Sequence, residues 1–99
     1  MKDTFLVHII LPDFFSKKFY NLIPKQRKLI NDLLDKRIVL SYSLDMERKN
    51  LWVYISAVSE QEVMDILCDF PIFKEVNVSI HELAFFDSAP VHMKDFILN

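Results

Sequence analysis

The stretch Arg37–Val63, RIVLSYSLDMERKNLWVYISAVSEQEV, decides the fold. Arg37 to Leu44 is rich in Ile, Val, Leu and Tyr and reads as a strand. Asp45 to Asn50 is a polar turn, and Leu51 to Val58 returns to apolar, β-branched and aromatic residues. Two such strands joined by a short polar turn form an antiparallel hairpin. Ser59 follows, with Glu62 three residues later, the spacing of a capping box, so a helix starts there.

Working outward, the N-terminal half supplies one strand and one helix. Thr4 to Leu11 reads as a strand that Pro12-Asp13 ends. From Ser16 to Lys36, Phe19, Leu22, Ile23, Leu29, Ile30, Leu33 and Leu34 recur at helical spacing. Pro24 lies inside this stretch and cannot donate to the preceding turn, which predicts a kink or a break into two pieces. Toward the C-terminus, Val63, Met64, Ile66 and Leu67 give the second helix its core face, and Pro71 ends it near Phe70. Val76 to Leu83 is the last strand. Ala84 to Asn99 is a tail ending in Phe96-Ile97-Leu98, expected to dock on its own or a partner subunit because those side chains are unfavourable in water. The order, strand, helix, strand, strand, helix, strand, is ferredoxin-like βαββαβ: a single α+β domain over 1–99 with two helices on one face of a four-stranded antiparallel sheet.

Alternation along the strands gives each two sets of side chains. One set is almost wholly apolar and packs under the helices: Phe5, Val7, Ile9; Ile38, Leu40, Tyr42, Leu44; Leu51, Val53, Ile55, Ala57; Val76, Val78, Ile80. The other is mixed, with Leu6, His8, Ile10, Val39, Ser41, Ser43, Trp52, Tyr54, Ser56, Ser79 and His81 among its members. It is too apolar for a solvated face and too polar for a dry core. A half-apolar surface with a few convergent polar groups is the character of a small-molecule site, and pairing with a second sheet would enclose it. The plainer reading is a dimer interface in which each histidine bonds a serine.

Composition narrows the function classes. The net charge of −2 lacks the concentrated basic face of a nucleic-acid binder. Seven of the twelve bases lie between Lys17 and Arg37, whereas eight acids against two bases follow Ser59. These are solvated helix faces or complementary subunit contacts. The aromatic content is high for 99 residues, so surplus apolar surface is expected to find a partner chain, as a homodimer or higher homo-oligomer. No apolar run approaches a membrane span, and no secretory signal opens the chain, so the expected location is the cytoplasm. The single cysteine, Cys68, is read as a buried core thiol. The chain has no glycine, so every turn and helix end must use Asn, Asp or another residue that tolerates the left-handed region. His8 and His81 lie on neighbouring strands, but no Cys, Asp or Glu joins them at ligand spacing, so a metal site is not expected.

The segment Asn50 to Leu83, with Leu51-Trp52-Val53-Tyr54 on a strand, the Ser59–Glu62 cap, and Phe70-Pro71-Ile72-Phe73 before the last strand, resembles the muconolactone isomerase family of the dimeric α+β barrel superfamily. That family carries a similar turn after its second helix. The resemblance covers the last third to half of the chain; the first half matches in element order. It implies subunits that pair sheet to sheet and a cofactor-independent proton shift in a small unsaturated lactone. Such a reaction needs a base and a group that steadies the developing enolate. Here His8 and His81 are the candidate bases and Tyr54 the candidate donor. They form a polar band over a floor of Leu6, Trp52 and Val39, with Ser41 and Ser79 at its sides. The same superfamily includes heme enzymes, monooxygenases and non-catalytic members, so the alternative is a non-catalytic, ligand-binding or structural dimer.

Overall fold

A computed structural model of the chain describes residues 1–89. The elements are β1 (Asp3–Ile10), α1 (Lys17–Asp35), β2 (Val39–Leu44), β3 (Asn50–Ala57), α2 (Glu60–Cys68), a 3-10 turn (Phe73–Glu75) and β4 (Asn77–Glu82). The strands lie in the order β2-β3-β1-β4, every neighbouring pair antiparallel. This is the ferredoxin-like α+β arrangement expected from the alternating pattern. Pro90, His92 and the Phe96-Ile97-Leu98 cluster lie outside the described residues.

The core forms where the apolar sets of β1 and β3 meet the helices. Phe5, Val7 and Ile9 alternate with half-buried residues along β1, and Leu51, Val53, Ile55 and Ala57 do so along β3. Phe19 and Ile30 of α1 and Val63 and Leu67 of α2 pack onto them, with Phe70 and Ile72 closing one end. Each such side chain contributes about 1.5–3 kcal/mol by leaving water. Both helices start on a serine. Ser16 Oγ accepts from the Phe19 N–H at 3.1 Å, and Ser59 Oγ from the Glu62 N–H at 3.1 Å. Glu62 reaches back to the Val58 N–H, at 3.4 Å, rather than to Ser59 itself.

Three expectations are corrected. First, α1 is one continuous helix across Pro24, so the break into two pieces does not occur. Pro24 and Tyr20, whose carbonyl loses its usual partner, are both exposed, and Phe19 and Ile30 anchor the helix on either side of them. Second, Val39 does not belong to the helix-free face. The β2–β3 register shifts between Val39 and Ser41: Val39 pairs with Ile55 and Ser41 with Tyr54, leaving Leu40 as the extra residue of a bulge. Val39 is therefore 1% exposed in the core and Leu40 is 38% exposed. Third, Cys68 is exposed, because the buried stripe of α2 runs through Val63 and Leu67 and the next residue rotates out of it. As the lack of glycine requires, the left-handed positions fall on residues that accept the region at a steric cost, here Arg37 (φ 60°) and Arg48 (φ 59°).

Arg37 shows why such a residue is needed. The Arg37 N–H donates to the Leu34 carbonyl and the Ile38 N–H to the Leu33 carbonyl, both at 3.0 Å. This is the Schellman closure, which satisfies two carbonyls at the end of α1 and requires positive φ at the residue after the cap. The basic and acidic halves of the sequence meet within the chain at a single ion pair among the described residues, Lys18 to Glu75 at 3.2 Å, outside the close pair Lys49–Glu47.

Candidate functional site

The helix-free face is organised in rows across the sheet. Because β1 is flanked by β3 and β4, its even residues each sit between two neighbours. Leu6 lies between Tyr54 and His81, and His8 between Trp52 and Ser79. On β2, Ser41 continues the first row beside Tyr54 and Ser43 the second beside Trp52. The structure thus places His8, Tyr54 and His81 on one face together with Leu6, Trp52, Ser41 and Ser79. Tyr54 and His81 are two strand spacings apart, roughly 9–10 Å between backbones, with Leu6 between them. Leu6, His8, Trp52, Tyr54 and Ser41 are half-buried, whereas Ser79 and His81 are exposed.

The three candidate side chains do not bond one another. The His8 ring stacks on Trp52, centroids 5.8 Å apart and planes within 9°. Its Nε2 lies 2.8 Å from Asn50 Oδ1. Asn50 Nδ2 in turn donates to Asp45 Oδ2 at 2.9 Å. Asp45 Oδ1 accepts the backbone N–H groups of Lys49, at 2.9 Å, and Asn50, at 3.1 Å. The Asn50 amide, followed by these backbone groups, holds the Asp45 carboxyl below its ordinary pKa. A carboxylate cannot donate, so the Asn50 amide must turn its NH₂ toward Asp45 and its oxygen toward His8. His8 Nε2 therefore carries hydrogen and donates, and Nδ1 is the nitrogen left with a lone pair in the neutral ring.

Asn50 and Asp45 were not legible as site residues in the sequence. Both read as turn formers, and Asp45 is one: its backbone carbonyl accepts from the Arg48 N–H at 3.1 Å. The signal available was the polar hairpin turn itself, whose last residue faces the same side as His8. Tyr54 also has an unexpected neighbour. Phe86, just beyond β4, packs against its ring at a centroid distance of 4.9 Å. The start of the tail thus docks on its own sheet.

On the other side of the sheet lies a cavity of about 380 Å³, between α1 and the β2–β3 end. Gln26 lines it at 3% exposure, although it stands in the basic run Ile23–Lys28 that reads as a solvated face. Its Oε1 accepts from the Ile72 N–H at 3.4 Å, and its Nε2 has no hydrogen-bond partner among the described residues. A buried polar group left so costs about 1–3 kcal/mol. Among the described residues, no three His, Cys, Asp or Glu side chains gather as a metal site, and no helix is long and apolar enough to cross a membrane.

Comparison with known proteins returns a fold and nothing more specific. No protein-family model matches the sequence, and no curated protein matches it. Among solved structures, the uncharacterized protein TM1266 from Thermotoga maritima superposes with a TM-score of 0.56 at 10% identity, over 84% of this chain and 99% of that one.

Proposed function

We propose that the chain is one subunit of a dimeric α+β barrel that binds a small unsaturated lactone or aromatic-derived acid against its helix-free face, and that it moves a proton on that ligand as a muconolactone isomerase-like enzyme does. One observation carries the reading: His8 is stacked on Trp52 and held through Nε2 by Asn50 and Asp45. A ring fixed at one nitrogen by an oriented amide presents the other to a ligand, which is the arrangement of a positioned base. In the reaction, Nδ1 takes a proton from the carbon next to the lactone carbonyl. The electron pair of that C–H bond passes onto the carbonyl oxygen as an enolate, to which the Tyr54 hydroxyl donates a hydrogen bond. The proton returns to the far carbon of the conjugated system as the double bond shifts. His81, exposed at the sheet edge, is a second proton carrier in this scheme, and Leu6, Trp52, Ser41 and Ser79 contact the ligand.

The test is proton exchange of an unsaturated γ-lactone in heavy water, followed by NMR. The chain is expected to catalyse exchange, and His8→Ala to lower the rate by about 10²–10⁴-fold, the usual contribution of a general base. Exchange no faster than in buffer would overturn the catalytic reading. The second reading, a non-catalytic sheet-to-sheet dimer, draws on the packing of Phe86 over Tyr54. A ring covered from its own chain is less free to serve a ligand. A dimer with no exchange activity would favour it.

A further inference from the structure

The cavity between α1 and the β2–β3 end of the sheet lies on the opposite side from His8 and has a different chemistry. Its walls are apolar, with Phe15, Phe19, Ile23 and Ile30 among them, and its polar groups are Gln26, Arg27, Asn31 and Tyr42. No acidic residue is in the lining. The buried Gln26 Nε2 has two hydrogens and makes no hydrogen bond of good geometry among the described residues. The Tyr42 hydroxyl is a donor, as any neutral phenol is, and burial raises its pKa above 10.0. The Gln26 side-chain amide and the Arg27 charge oppose that rise. Arg27 is thus close enough for its charge to be felt at the cavity's phenol. Gln26 Nε2, the Tyr42 hydroxyl and the Arg27 guanidinium are donors, and one of them is a cation.

We infer that this cavity binds a small apolar monocarboxylate, whose carboxylate accepts from Gln26 Nε2 and pairs with Arg27 while its hydrocarbon part lies against Phe15, Phe19 and Ile23. A donor set with a single positive charge and no carboxylate selects an anionic acceptor over a neutral one. Water would satisfy Gln26 but would leave the apolar wall in contact with solvent. The volume falls in the range of small-molecule sites, about 300–1,000 Å³.

The experiment is a heteronuclear NMR titration of the full chain with hydrocinnamate and, separately, with its neutral amide. Hydrocinnamate is expected to give saturable shifts at the Gln26 side-chain amide and at the backbone of Phe19, Ile30 and Tyr42. The neutral amide should bind about tenfold or more weakly. Arg27→Gln, a change at an exposed position, should weaken hydrocinnamate by a similar factor and leave the amide unaffected. His8→Ala should change neither, because His8 is across the sheet. No saturable shift at low-millimolar hydrocinnamate would overturn the inference. Equal binding of acid and amide would overturn the carboxylate assignment, and loss of the shifts in His8→Ala would place the ligand on the other face.

Discussion

Tyr42 shows how one side chain takes its properties from its surroundings. It lies on the helix side of β2, half-buried beside Gln26 and Arg27. Burial disfavours the phenolate and raises the pKa from 10.0, against the opposing effects of the Gln26 amide and the Arg27 charge. The folded chain therefore holds the phenolic proton more tightly than the unfolded chain. The associated stability is fully present below the unfolded value and is lost as pH rises from 10 through the folded value. Denaturant unfolding measured from pH 8 to pH 11 should show a steeper alkaline loss for the native chain than for Tyr42→Phe. Parallel profiles would show that burial of this phenol does not contribute. His8 is a contrasting case. Its tautomer is set by Asn50, which is set by Asp45, so its orientation is decided two side chains away.

At the scale of elements, the absence of glycine has a measurable consequence. The end of α1 needs a left-handed residue for its Schellman closure, and the chain supplies Arg37. A non-glycine residue there carries a steric cost of about 1–2 kcal/mol. Arg37→Gly should remove that cost while adding unfolded-state entropy of about 0.4–1 kcal/mol in the other direction, for a net gain on the order of 0.5–1 kcal/mol. Equilibrium urea unfolding is the measurement, and a loss of stability would mean that the Arg37 side chain makes a contact worth more than the strain. Pro24 carries a related lesson. Inside a helix it removes a hydrogen bond, yet α1 runs through it, because tertiary packing of Phe19 and Ile30 against the sheet outweighs the local penalty. In β2 the bulge at Leu40 exchanges one exposed apolar residue for a core position filled by Val39.

For the whole molecule, the asymmetry of the sheet matters most. One face is covered by both helices. The other carries Leu6, Trp52 and Tyr54 half-buried and Ile10 44% exposed, with only Phe86 laid against it among the contacts described. Under the proposed reading a second copy covers this apolar surface, and the proposed barrel cavity exists only once the two sheets face each other. Light scattering at micromolar concentration should find a dimer. Leu6→Lys, which sets a charge between Tyr54 and His81 at the centre of the face, should yield a monomer with unchanged far-UV circular dichroism. A monomeric native chain would overturn the dimer, and a dimer that survives Leu6→Lys would place the contact elsewhere.

The sequence by itself determined the element order, the serine starts of both helices, the hairpin and the alternation that separates the two faces of β1 and β3. Each of these depends on residues within a few positions of one another, where period, caps and turn chemistry act without the rest of the chain. Of the proposed site, it yielded the shared face of His8, Tyr54 and His81, because strand alternation is local. The tertiary structure alone decided which residues those side chains meet. His8 pairs with Asn50 across 42 positions and Gln26 with Ile72 across 46, and neither distance has a period to announce it. The misplacement of Val39 has the same cause. A one-residue bulge reverses the side to which a strand residue points, and the bulge is a property of how β2 registers on β3, with Ile55 and Tyr54 as its neighbours, not of the letters of β2.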